Sequence, residues 1–294
     1  MSSDARRSRR SSSVRPSVRY AITRDGVRVA YEQSGRGIPL VFVHGLGDDR
    51  HTWRDAIDRL STDHHCIALD LRGHGQTTGA ARFDPFSLLH DLAAVIDEAT
   101  QQPVVLIGHS LGGFAVSMFA ADAERRVRAV INVDQPLQFD GMHGAIAPLE
   151  APLREGRVYD IVSDVIDSLG TDALCAEERE RLESARRKLT KEVVLGVWGP
   201  LFDGQLQTFS ERVELALRAI DVPYLNLFGR DGQSDYEAWL CERVRTLELD
   251  AFCSAGHFVH LADPQAFVER VRRFVGARTA RGSAPSGTRD ESAR

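Results

Sequence analysis

Apolar residues along the chain fall into short unbroken runs separated by segments with helical spacing. The runs PLVFVHG (39 to 45), HCIALDLRG (65 to 73), PVVLIGHS (103 to 110), VRAVINVD (127 to 134), PYLNLFG (223 to 229) and LELDAFCSAGH (247 to 257) have strand length. Val41-Phe42-Val43 and Val104-Val105-Leu106-Ile107 do not alternate with polar residues, which predicts strands covered on both faces. Segments 50 to 60, 85 to 99, 111 to 125 and 262 to 276 carry helical periodicity. Strands alternating with helices predict a doubly wound, mostly parallel α/β sheet. Ahead of them, RYAITRDGVRVAYEQSG places two β-prone segments around Asp25-Gly26, a hairpin signal and thus an antiparallel edge.

One interval breaks the rhythm. Between Asp134 and Val222 the pattern is helical with no core strand, which predicts a helical insertion capping the sheet. Within it AEERERLESARRKLTKEV spaces Glu177 from Arg181 and Glu183 from Arg187 at i,i+4, the pattern of a solvated helix face, and Gly199-Pro200 marks a break. The expected organisation is a tail over 1–18, a core over 19–136 and 217–276, a cap over 137–216 and a second tail over 277–294.

Charge narrows the class. The tails Met1 to Arg19 and Ala277 to Arg294 carry +5 and +2 against −5 overall, so the body between them carries −12. An acidic body argues against a nucleic-acid surface. The first tail, rich in Ser and Arg and with only a few scattered apolar residues, reads as solvated and disordered. No apolar run reaches the roughly 18 residues a spanning helix needs, so no membrane partner is expected. Cys66, Cys175, Cys241 and Cys253 lack CxxC spacing and read as free thiols of a cytoplasmic protein. Oligomeric state is left open.

Candidate chemistry centres on Gly108-His109-Ser110-Leu111-Gly112, which closes one predicted strand and opens a helix rich in small residues. A tight strand-to-helix turn with glycines around a serine is what a GxSxG nucleophile elbow requires. Read only as a helix start with Ser110 as its cap, the stretch would leave those glycines without a purpose.

At this point the chain resembles the α/β-hydrolase family, in its serine hydrolase, carboxylesterase-like branch, from about Arg19 to Val275. His44-Gly45-Leu46-Gly47 resembles that family's oxyanion loop. Asp70-Leu71-Arg72-Gly73-His74-Gly75 resembles its next strand-end loop, and Gly256-His257-Phe258-Val259-His260-Leu261 the segment delivering its catalytic histidine. The resemblance implies Ser110 as nucleophile and His257 as base, with the backbone N–H groups of Leu46 and Leu111 receiving the oxyanion. His44, His74, His109 and His260 are read instead as structural hydrogen-bonding histidines.

Two sources compete for the triad acid. The family commonly places it three residues past the glycine of the strand PYLNLFG, where this chain has Gly232, with Asp231 one residue early. Asp134, at the tip of VRAVINVD, matches the members that draw the acid from the earlier strand and is the preferred candidate; Asp231 is the alternative, and Asp235 a helix-cap or surface acid. Trp198 and Phe139 are candidate pocket residues, with Met142, Val197, Leu201 and Phe202. No cofactor or metal is expected: there is no HExxH and no GxGxxG with a downstream acid.

The expected function is hydrolysis of a small, partly apolar carboxylic ester through a Ser-His-Asp triad and an acyl-enzyme. A carbon-carbon bond or lactone hydrolase with the same triad is the alternative among enzymes. A ligand sensor of the same fold with little turnover is the alternative outside them. Epoxide hydrolases and haloalkane dehalogenases resemble the fold but use an aspartate where this chain has Ser110.

Overall fold

The structure is a computed structural model and describes residues 17–279 except 123–125, 203, 231–233 and 254. The expectations for the terminal tails therefore fall mostly outside the described residues, and so does Asp231.

Eight strands form one sheet: β1 (Arg19–Ile22), β2 (Arg28–Gly35), β3 (Ile38–Val43), β4 (His64–Leu69), β5 (Val104–His109), β6 (Val127–Val133), β7 (Tyr224–Phe228) and β8 (Leu247–Ala251). Their order is β1-β2-β4-β3-β5-β6-β7-β8. β1 and β2 pair antiparallel, as Asp25-Gly26 predicts, and β2 pairs antiparallel with β4; every later pair is parallel. The mostly parallel sheet expected from the alternation is therefore present.

Helices cover both faces. They are α1 (Arg54–Leu60), α2 (Leu88–Ala99), α3 (Leu111–Ala120), α4 (Asp140–Ile146), α5 (Glu150–Arg154), α6 (Val158–Ser168), α7 (Ala176–Arg186), α8 (Lys191–Phe202), α9 (Leu206–Ala219), α10 (Ser234–Cys241), α11 (Val259–Ala262) and α12 (Pro264–Thr279). Strand side chains alternate between two cores, which is why the runs are apolar throughout. Val41 and Val43 join Leu92, Phe114 and Val116 on one face, while Leu40 and Phe42 join Trp53, Leu60, Phe267 and Phe274 on the other. Among the described residues no helix is long and apolar enough to cross a membrane.

The six helices α4 to α9 fill the interval between β6 and β7. Two expectations about it are corrected. Helix α8 runs through Pro200 instead of breaking there; the proline lies in the last turn, where its missing N–H removes only a terminal hydrogen bond. Helix α7 is not simply a solvated face: Leu182 and Arg186 are buried, and Arg181 reaches across to Asp48 in the loop after β3.

Candidate active site

The site is built at the carboxyl ends of β3, β5, β6 and β7. β5 passes into α3 with almost no loop, and Ser110 at the corner takes φ 50° and ψ −123°. That backbone is costly for a residue with a Cβ and is kept only where the surroundings enforce it. They do so here. A Cβ at Gly108 would lie 2.2 Å from the carbonyl oxygen of Gly112, and one at Gly112 would lie 2.2 Å from that of Val43. The glycines of GHSLG are thus required by the closeness of α3 to the strands. Ser110 N–H donates to the Val133 carbonyl at 3.0 Å, which locks the corner to β6.

Asp134 follows β6 and also has a positive φ, 51°. Its Oδ2 lies 2.8 Å from His257 Nδ1, and its Oδ1 accepts the N–H of Gly229, just past β7, at 2.9 Å. Burial pushes the Asp134 carboxyl up, but the hydrogen bond and charge of His257, with the Gly229 N–H, outweigh it and hold the group below the usual carboxylate range. The two strand tips thus share one carboxylate: Gly229, the glycine of PYLNLFG, supplies a backbone donor to it and Asp134 carries it. Asp235 lies exposed in the first turn of α10.

His257 is positioned through its backbone as well. Its N–H donates to the Leu169 carbonyl at the end of α6 (3.2 Å), and its own carbonyl accepts from His109 Nε2 at 2.9 Å. The rival histidines all have structural partners. His44 Nδ1 donates to the Gly45 carbonyl while Nε2 accepts the Leu71 N–H; His74 Nδ1 donates to the Arg72 carbonyl while Nε2 accepts the Gly47 N–H. Both therefore pin the loop that carries Leu46. His260 Nε2 meets Thr52 Oγ1 at 2.9 Å. Burial drives His74 and His109 down to about 3, and His260 well below its ordinary value.

A cavity opens above Ser110. Ser110, His257, Leu46 and Leu111 line it together, as do the predicted Trp198, Phe139, Met142, Val197 and Leu201; Phe202 does not. Phe114, Val165, Ile166, Leu169 and Phe209 add to the apolar wall and were not singled out from the sequence, because Phe or Val in a helix carries no mark separating pocket from core. Asp48 was also missed, although it follows directly on the HGLG stretch. The arrangement gathers a strained serine, an imidazole held by a carboxylate, and the backbone of Leu46 and of Leu111, the first residue of α3, around one cavity.

The model of the alpha/beta hydrolase family matches residues 40–270. The chain belongs to this family. It is 33% identical over 168 residues to (E)-2-((N-methylformamido)methylene)succinate hydrolase of Acinetobacter baylyi, covering 56% of this chain and 61% of that protein. It is 35% identical over 108 residues to the dihydrolipoyllysine-residue acetyltransferase component of the acetoin cleaving system of Cupriavidus necator, covering 36% of this chain and 29% of that protein. The chain thus matches less than two thirds of the length of either relative. Among solved structures, a thermophilic esterase from Thermogutta terrifontis superimposes with a TM-score of 0.74 at 21% identity, over 89% of this chain and 99% of that one. That likeness carries the fold.

Proposed function

We propose that this hydrolase-family protein cleaves a carboxylic ester with a partly apolar acyl portion, using Ser110, His257 and Asp134. The observation that carries the reading is the convergence on one cavity of a serine at a strained elbow and a histidine whose Nδ1 sits 2.8 Å from a buried carboxylate.

In this mechanism Asp134 accepts the Nδ1 hydrogen and leaves Nε2 of His257 unprotonated, free to take the proton of Ser110 Oγ as the serine attacks the ester carbonyl. The tetrahedral oxyanion receives hydrogen bonds from the backbone N–H groups of Leu46 and Leu111. The second is a helix N-terminal N–H, which has no partner within its own helix. The imidazolium, stabilised by Asp134, returns its proton to the departing alcohol. The acyl group remains on Ser110 until water, activated by the same histidine, releases the acid.

The apolar wall around Phe139 and Trp198 supports an apolar acyl or alcohol portion. Among the described residues no Lys or Arg lines this cavity, which disfavours an anionic substrate. The test is turnover across a series of p-nitrophenyl esters of increasing chain length, run beside labelling with a fluorophosphonate probe. Saturable turnover with labelling supports the reading. Labelling with negligible turnover of esters and lactones alike would point instead to a ligand sensor.

A further inference from the structure

Two amides sit in the core where the strands around them are apolar. Asn132 in β6 and Asn226 in β7 are both fully buried and stand opposite each other in the register of the two strands, among Ala, Val, Ile, Leu, Tyr and Phe. Asn132 Nδ2 donates to Asn226 Oδ1 at 2.8 Å. Asn132 Oδ1 and Asn226 Nδ2 have no partner among the described residues, which costs stability that two aliphatic side chains would not cost. Amides kept in a core against that cost point to a task beyond packing.

The second bond of the Asn132 amide shows the task. Its Nδ2 also donates to the Gln135 backbone carbonyl at 2.8 Å, closing a turn with only Val133 and Asp134 between its ends. Inside that turn Asp134 takes its positive φ of 51°, a conformation that a residue with a side chain keeps only where the surroundings enforce it. The Asp134 N–H is tied to the Leu227 carbonyl at 2.8 Å, so the Asn132 amide fixes the chain on the other side of the residue. Asn226 belongs to the strand that leads into Gly229, whose N–H donates to Asp134 Oδ1. The amide pair therefore joins the two strand tips that hold the carboxylate. Helix α3 closes on the same turn: a Cβ at Gly113 would lie 2.3 Å from Asn132 Oδ1 and 2.8 Å from Gln135 Cβ, so the glycine leaves room for it. Past Gln135 the chain is anchored separately, by the Leu137 N–H donating to Tyr236 Oη at 3.0 Å.

We propose that Asn132, braced by Asn226, is a positioning residue that acts through Asp134: its amide holds the turn in which the carboxylate meets His257 Nδ1. Without that bond the Gln135 carbonyl is released, the turn is free to leave the positive-φ geometry, and Asp134 no longer orients the imidazole in every molecule. This rests on the reading of Asp134 as the triad acid, and not on the substrate being an ester.

The experiment is a mutant cycle with two readouts. The proteins are the wild type, Asn132→Leu/Asn226→Leu, Asp134→Asn, and the triple variant; replacing both amides leaves neither one orphaned in the core. The rate constant of labelling by a fluorophosphonate is followed by intact mass, kcat and KM are measured on p-nitrophenyl hexanoate, and thermal unfolding reports the fold. The leucine pair is expected to unfold near the wild-type temperature and to lose roughly tenfold to a hundredfold in labelling rate and in kcat, the scale for a catalytic group displaced by about 1 Å, with KM within twofold. The triple variant is expected to be no slower than Asp134→Asn alone, because a residue acting through Asp134 has nothing left to position. Should the leucine pair fail to fold, Asn132→Ser, whose hydroxyl ends one bond short of the amide nitrogen, carries the same comparison with Asn132→Ser/Asp134→Asn. Wild-type labelling rate in a folded variant, a loss confined to KM, or a loss that multiplies onto that of Asp134→Asn overturns the assignment. The expected pattern in labelling upholds it even if the wild type turns over no ester, an outcome that would remove only the ester reading. A wild type that takes no label removes the triad reading and this assignment with it.

Discussion

Asp134 Oδ2 and His257 Nδ1 lie 2.8 Å apart although 123 residues separate them in the chain. Replacing Asp134 by Asn keeps the shape but turns a charged acceptor into an amide, which frees the wrong tautomer of His257 and removes the charge that stabilises its protonated form. kcat for ester hydrolysis is expected to fall by about 10³ to 10⁴ with little change in KM. Asp231→Asn is expected to cost much less. Steady-state kinetics of the two variants side by side check the assignment, and the reverse order would move the acid to the turn after β7.

Arg181 joins α7 to the loop that carries Leu46 through its contact with Asp48, and Gly47 of the same loop sits against Arg186 and Leu189 of the insertion. The helices between β6 and β7 therefore brace the loop that carries Leu46 from one side while His44 and His74 hold it from the other. Arg181→Gln leaves the buried Asp48 charge without its partner, and unfolding free energy measured in urea is expected to drop by about 3 kcal/mol, the low end for a broken buried pair because Arg181 keeps some contact with solvent. The double variant with Asp48→Asn is expected to lose less than the sum of the single changes.

Trp198 contributes apolar wall rather than chemistry. Trp198→Ala is expected to shift the acyl chain-length optimum towards longer esters, while the kcat for short esters stays within a few-fold of wild type. A chain-length series compared with that of the wild type decides this, and superimposable profiles would remove Trp198 from the specificity wall.

Acid should weaken the fold in a defined window. His74 and His109 are held neutral by burial down to about 3, and His260 also titrates far below its ordinary value. In the unfolded chain all three take up protons near 6.5. The unfolded state then binds more protons than the native state below that pH, so stability is full above about 6.5 and declines as pH falls from there towards 3. Each histidine contributes a slope of about 1.4 kcal/mol per pH unit. Asp134, lowered in the folded state, adds its loss only below its ordinary carboxylate value near 3.8. Denaturant midpoints between pH 7.5 and 4.5 are expected to fall steadily, and a flat profile would contradict the buried neutral histidines.

Local chemistry was legible in the sequence where it is spelled by contiguous residues. The GHSLG turn announces itself because the strand, the glycines and the small-residue helix are adjacent in the chain, and the two-sided burial of β3 and β5 shows in their unbroken apolar runs. Relationships made by the insertion were not legible. Arg181 at i,i+4 from Glu177 looks like a surface pair, whereas it engages Glu178 at i−3 and Asp48, 133 residues away. Pro200 reads as a breaker because the sequence does not show that it falls in the last turn of its helix. The tie between His257 and the Leu169 carbonyl uses backbone atoms alone, so no side chain could advertise it.

The central claim is that Ser110 is the nucleophile. The most direct measurement is intact-protein mass after incubation with a fluorophosphonate, for the wild type and Ser110→Ala at equal concentration, with thermal unfolding of both to establish that the fold is kept. One adduct per wild-type chain and none on Ser110→Ala, with loss of ester turnover and an unchanged unfolding temperature, is the expected result. An adduct of the same mass on Ser110→Ala, or ester turnover at the wild-type rate in that variant, would contradict the account.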